Sequence, residues 1–175
     1  MAVIFLLSTL IFLLLTVVYY SIRYGISPMP STTKAKELIL HSIPKGQQGN
    51  IVELGSGWGT LAFPIAKEHP HCSMVAYEIS LLPWIYSKGI HLIRGPDNLK
   101  IVRQDFFSVP LNDANLVVCY LYPGAMRKLK AKFEKELQRG TVIISNTFAI
   151  PGWEPTSVQS LDDIYHTPIY TYVMQ

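Results

Sequence analysis

Along most of its length the chain alternates short apolar runs with stretches of helical pattern. Five runs read as strands: Asn50–Leu54, Ser73–Glu78, Leu99–Arg103, Asn115–Tyr120 and Thr141–Ser145. Four segments carry helical spacing: Thr33–Ser42, Thr60–Lys67, Leu81–Leu92 and Pro123–Gln138. Strand-helix alternation implies parallel pairing, so the pattern predicts an α/β fold with a doubly wound, mostly parallel sheet. The tail from Trp153 to Val173 is poor in helix formers. It has Thr, Val, Ile and Tyr on either side of Leu161–Asp163, which predicts a C-terminal antiparallel hairpin. The stretch between Ser145 and Trp153 leaves no room for a further helix.

The N-terminus follows a different rule. From Ala2 to Tyr20 the run is nearly unbroken in its apolar character, with only Ser8, Thr9 and Thr16 polar. A helix of that length rises about 1.5 Å per residue and spans a hydrocarbon core of roughly 30 Å. Tyr19, Tyr20 and Tyr24 fall where interfacial rings are preferred, and Arg23 follows at once. A cleaved signal peptide would need a basic start and a small-residue cleavage site, and a buried core helix would show a polar face. The expectation is a single transmembrane helix over residues 1–24, ahead of a domain over residues 25–175. Positive charge on its C-terminal side places that domain in the cytoplasm, or in the mitochondrial matrix of a eukaryote. Within 27–33, the sequence SPMPSTT makes a loop that ends in a helix N-cap signal.

Composition agrees with one domain plus an apolar appendage: 175 residues, 49% hydrophobic and 15% charged. A net charge of +3 is too small to argue for nucleic acid. The densest basic stretch is Arg127, Lys128, Lys130, Lys132, Lys135 and Arg139. It reads as a solvated helix face, with attraction to anionic lipid as the alternative. Cys72 and Cys119 form no CxxC pair, His69 and His71 have no ligand spacing, and no metal site is expected.

The chemistry is concentrated in Glu53-Leu54-Gly55-Ser56-Gly57-Trp58-Gly59, where the first strand runs into a glycine turn. Ligands of open α/β sheets bind at the carboxyl ends of such strands. The GxGxG spacing is not the GxGxxG of a dinucleotide site, and no Lys-Ser/Thr pair follows as in a P-loop. Glu53 would repel a pyrophosphate; it suits a ligand with a cationic amino group, such as S-adenosylmethionine. Glu78 ends the second strand, 19 residues beyond Gly59, where an acid chelates ribose hydroxyls. Asp105 follows the third strand within reach of an adenine amino group, with Phe106 able to pack beside the ring. Each of these signals has a bland reading as a tight turn or a helix cap. Their agreement in order and strand position carries the assignment.

These residues resemble the class I, or seven-β-strand, S-adenosylmethionine-dependent methyltransferases, whose fold is Rossmann-like. ELGSGWG is similar to their glycine motif, Glu78 to their ribose-binding acid and Gln104-Asp105-Phe106 to their adenine contact. The likeness spans residues 27–175. A narrower resemblance is to the small membrane-anchored protein-lysine methyltransferases of the ATP synthase c subunit and adenine nucleotide translocase type. It rests on the apolar N-terminal helix, SPMPSTTKA, ELGSGWGTLAFPIAK and Pro151-Gly152-Trp153. It implies S-adenosylmethionine as cofactor, held by Glu53, Gly55, Ser56, Gly57, Gly59, Glu78, Asp105 and Phe106. It also implies a membrane-associated protein substrate, reached near the PMPST segment and Tyr120-Leu121-Tyr122-Pro123.

Methyl transfer to an amine needs a neutral nucleophile aligned with the methyl carbon. An apolar, aromatic channel lowers a lysine pKa by desolvation, and Tyr120, Tyr122 and Trp153 are its candidate lining. Core packing is the alternative for Tyr120 and Trp153. The CYLYPG sequence after the fourth strand lacks the (N/D)PP(Y/F) element of base-amine methyltransferases, so no nucleic-acid partner is expected. A methyltransferase for a lipophilic small molecule or lipid, and a silent cofactor-binding membrane module, remain as rival functions.

Overall fold

The computed structural model describes residues 1, 3–9, 11, 16 and 31–175. Residues 3–9 are helical, and the Ser8 and Thr9 hydroxyls donate back to the Phe5 carbonyl at 2.9 and 2.8 Å. Most of the expected anchor over 1–24 lies outside the described residues. Among the described residues, no helix is long and apolar enough to cross a membrane.

The domain runs α1 (Thr33–Ser42), β1 (Asn50–Leu54), α2 (Ala62–Glu68), β2 (Ser73–Glu78), α3 (Leu81–Arg94), β3 (Leu99–Arg103), β4 (Ala114–Cys119), α4 (Pro123–Glu136), β5 (Val142–Asn146), β6 (Ser157–Ser160) and β7 (Pro168–Val173). The strands form one mixed sheet in the order β3-β2-β1-β4-β5-β7-β6, parallel up to β5 and antiparallel beyond. The strand order reverses between the parallel neighbours β1 and β4, which opens a crevice at their carboxyl ends.

Each helix has a local cause. The Thr32 side chain caps α1 by accepting from Ala35 N–H at 3.2 Å. Pro64 stands in the first turn of α2 and Pro123 at the start of α4, where a missing N–H costs nothing. One sheet face packs on Ile39, Ile43, Leu61, Ile65 and Ala66 of the α1–α2 side. The other packs on Ala125, Met126, Leu129 and Phe133 of α4.

The sequence expectations agree within a few residues. Strand four begins and ends one residue early, because Cys119 is the last residue paired with β1 and β5, and Tyr120 leaves the sheet. Strand five shifts one residue later, α2 starts after the Thr60–Leu61 turn, and α4 stops at Glu136. The expected hairpin is present, but its second arm, β7, is the one that joins the sheet. Burial decides this: β7 places Ile169 and Tyr172 in the core, whereas β6 (SVQS) is exposed at all four positions.

Asn98 ties the lower end of this frame. Its side-chain amide lies 2.9–3.0 Å from the carbonyls of Ala66, His69 and Cys72, so two hydrogens serve three acceptors. Asn98→Ala is expected to lower stability by about 1–3 kcal/mol, seen as a lower urea midpoint with an unchanged slope.

Candidate active site

The site starts where β1 ends. Gly55 and Ser56 N–H both donate to the Tyr77 carbonyl at 2.9 Å, so the glycine turn stays attached to β2. Gly55, Gly57 and Gly59 all have positive φ, of 78°, 53° and 79°. At Gly57 a Cβ would meet nothing within 4 Å, whereas at Gly59 it would meet Phe63 at 2.7 Å. Gly57 therefore borders open space, and Gly59 permits close packing of the turn on α2.

Glu78 holds this turn directly. Its carboxylate accepts from Gly57 N–H at 2.7 Å and from Ser80 N–H at 2.6 Å. Each oxygen keeps a free lone pair for a ligand hydroxyl. The Glu78 carbonyl accepts from Gln104 N–H at 3.2 Å, which brings the end of β3 alongside. Asp105 then caps the short 3-10 turn Phe106–Ser108, accepting from Phe107 N–H at 2.9 Å. Phe106 is 6% exposed and sits in the core near Leu121 and Gly55, so it supports the floor of the turn.

Glu53 is buried beside them. Its Oε2 and the Ser56 Oγ are fully buried polar atoms without a hydrogen-bond partner. Burial, and after it the Glu78 carboxylate, push the Glu53 carboxyl up to about 8. Cys119, at the end of β4, is buried and pushed up to about 12, mainly by desolvation, so its thiol is an inert packing group.

The tyrosines and the tryptophan part company. Tyr120 and Tyr122 stand at the carboxyl end of β4, Tyr122 as the residue preceding α4. Trp153 packs on Phe133 and Tyr172, with ring centroids 6.5 and 5.9 Å away, and its indole N–H donates to Glu134 at 3.2 Å. Glu134 lies about 18 Å along α4 from Tyr122 at 1.5 Å per residue. Trp153 is thus a lid over the α4 core, and the structure does not bring it to the glycine turn.

Pattern reading passed over Asn146 and Thr147. Asn146 ends β5 and is buried, and Thr147 has φ 69° and donates its hydroxyl to Asn146 Oδ1 at 3.0 Å. Phe148 N–H donates to the Asn146 carbonyl at 2.8 Å, which closes a tight γ-turn. A β-branched residue at positive φ is strained, and such strain concentrates at ligand sites. The available signal was position: the polar triplet Ser145-Asn146-Thr147 closes a central strand at its carboxyl end. No group of three or more metal-ligating side chains occurs among the described residues.

The site fits S-adenosylmethionine. The unpartnered Glu53 and Ser56 atoms offer acceptors for an amino-acid ammonium, and the space at Gly57 accommodates its close approach. Ammonium binding selects the ionised form of Glu53, so at pH 7 about one proton should leave on binding. Calorimetry in buffers of different ionisation enthalpy measures that release directly. Affinity should rise roughly tenfold per pH unit between pH 5 and 7. Glu53→Gln should remove both the proton release and this slope; equal release by the variant would contradict the assignment. Gly57→Val should abolish binding, because its branched side chain enters the open space, and its φ of 53° should also lower stability, which the urea midpoint measures separately.

Comparison with known proteins shows the family and the fold. The model of the ANTKMT methyltransferase domain matches residues 53–157. A protein-lysine N-methyltransferase of Saccharolobus islandicus is 30% identical over 154 residues, covering 83% of this chain and 92% of that protein. The adenine nucleotide translocase lysine N-methyltransferase of Mus musculus is 29% identical over 120 residues, covering 67% of this chain and 51% of that protein. In fold, the chain matches an RNA methyltransferase from Salinibacter ruber, solved in complex with S-adenosyl-L-homocysteine. The TM-score is 0.72 at 21% identity, over 83% of this chain and 94% of that one. The chain therefore belongs to the ANTKMT methyltransferase family: it is an S-adenosylmethionine-dependent methyltransferase related to protein-lysine N-methyltransferases.

Proposed function

We propose that this enzyme methylates lysine side chains of a membrane or membrane-proximal protein, tethered to the same membrane by its N-terminal segment. The observation that carries the lysine reading is the likeness, over 92% of its length, to a protein-lysine N-methyltransferase. The apolar run from Ala2 to Tyr20, followed by Arg23, supports a single-pass anchor over 1–24 and a catalytic domain over 25–175 on the positively charged side. The mouse relative, named for a translocase, supports a membrane-protein substrate.

The geometry of the site supports the following roles. Glu53 and Ser56 hold the amino-acid end of the cofactor, Gly55, Gly57 and Gly59 admit its close approach, Glu78 takes the ribose and Asp105 the adenine, with Phe106 beneath. Bound S-adenosylmethionine supplies an electrophilic methyl group on a sulfonium. The protein's task is then to desolvate the acceptor amine, keep it neutral and hold it in line. Tyr120 and Tyr122 at the end of β4 are placed for that task, with Asn146 and Thr147 at the neighbouring end of β5.

Transfer of radiolabelled methyl groups by the full chain into membrane fractions tests the substrate class. Label is expected in protein, recovered as methyl-lysine after hydrolysis; label confined to lipid would overturn the reading. Tyr122→Ala should reduce turnover at least tenfold while cofactor affinity stays within about twofold. Trp153→Ala should behave in the opposite way, losing about 2–3 kcal/mol of stability with turnover per folded molecule retained.

A further inference from the structure

The helix α3 is built inside out. Of its fourteen residues, LLPWIYSKGIHLIR, only Pro83 and Ser87 are buried. Ile85, Tyr86, Leu92 and Ile93 are exposed, the last two at 75% and 82%. At 3.6 residues per turn, these four and Gly89 fall within an arc of about 120°. A contiguous exposed apolar helix face marks an interaction surface. It continues into a groove where Tyr86, Ile90 and Arg94 of α3 face Trp58, Phe63 and the start of α1 at Thr33 and Lys36. Thr33 also borders a second groove, formed with the hairpin turn at Ile164 and Tyr165. Those two residues are 92% and 86% exposed. The exposed apolar groups of the domain thus gather largely on both sides of one point, the start of α1.

That point is where the N-terminal apolar run joins the domain. Twelve residues lie between Tyr20 and Thr33, and the thirteen steps limit their distance to about 45 Å even when fully extended. The charge at this border is mostly positive. Arg94 and Lys36 line the groove, and Lys34 is tied to Asp162 of the hairpin turn. Three basic residues of α4 already have partners, while Arg127 and Lys135 stay exposed on that far side. Lys132 is clasped by Glu136 at 2.8 Å and by the Val109 carbonyl, Lys130 pairs with Glu134 at 3.9 Å, and Lys128 stands over the Phe107 ring.

We infer that the outer face of α3 and the hairpin turn at Ile164–Tyr165 form a bilayer-docking surface, which seats the domain on the interface of an anionic membrane. Aliphatic and aromatic side chains enter the headgroup boundary, and Lys36 and Arg94 meet lipid phosphates. Trp58 directly follows Gly57 and packs edge-on against Tyr86 at 5.5 Å, so the docked face adjoins the cofactor turn. An acceptor lysine would then be met close to the membrane surface. The inference rests on the anchoring reading above, and its test separates the two.

The test uses the full chain carrying Ile93→Cys, Tyr165→Cys or, as a control just beyond the far end of α4, Gln138→Cys. Each is labelled with a polarity-sensitive fluorophore; Cys72 and Cys119 are buried and stay unlabelled. On vesicles of phosphatidylcholine with phosphatidylserine, the probes at 93 and 165 should shift to the blue. Nitroxide lipids should quench them severalfold more than the probe at 138. Arg94→Glu should weaken the response to phosphatidylserine. Chains that float with vesicles while both probes stay water-like would overturn docking and leave the anchor standing. Chains that do not float would overturn the anchor and docking together. A lipid-free shift that grows with protein concentration would assign the face to a second copy. A shift that requires membrane proteins in the vesicles would assign it to a protein partner. Either result overturns the proposal.

Discussion

The site depends on one clasp. The Glu78 carboxylate accepts from Gly57 N–H at 2.7 Å and Ser80 N–H at 2.6 Å. It thereby joins the turn after β1 to the start of the helix after β2. Three features adjoin it. The turn keeps positive φ at its glycines without fraying, β3 is drawn in through the Glu78 carbonyl, and Asp105 arrives beside the same crevice. An ionised acceptor of two N–H donors gives charge-assisted bonds, stronger than neutral ones. The clasp leaves each carboxylate oxygen with one further lone pair.

Glu53 works by the opposite principle. It is left buried with an unpartnered oxygen close to the charge of Glu78, and both influences oppose its ionisation. Such an arrangement costs stability in the isolated protein. A cationic group delivered by a ligand relieves that cost. A buried acid of this kind favours an ammonium-bearing ligand over an anionic one.

The two sides of the sheet divide their labour. The α4 face carries a packed aromatic core, in which Trp153, Phe133 and Tyr172 contact each other and the Tyr172 hydroxyl accepts from Ile150 N–H at 3.0 Å. The face bearing α1, α2 and α3 supplies the glycine turn and leaves α3 apolar toward the outside. Both faces bury an apolar core, and the α3 side adds an exposed apolar surface.

Local pattern was sufficient for the parallel core. Alternation of apolar strands with helical segments follows from burial of each strand between layers of helices, which is written residue by residue. The glycine turn, Glu78 and Asp105 were legible for the same reason, because strand ends set their spacing. Contacts between distant segments were not. Tyr120 and Tyr122 share a strand end that the sequence marks, but whether Trp153 joined them depended on how the chain crosses α4 after β5. Packing on Phe133 and Tyr172 took it elsewhere. The placement of β7 inside β6 was likewise decided by which arm could bury Ile169 and Tyr172. The strain at Thr147 arises only when β5, β7 and the Pro168 carbonyl meet. The sequence by itself determined which residues stand at the carboxyl ends of β1, β2 and β3, since period and turn chemistry are local. Tertiary structure alone decided the burial and raised pKa of Glu53, the removal of Trp153 from the site and the outward apolar face of α3, since each is set by neighbours far along the chain.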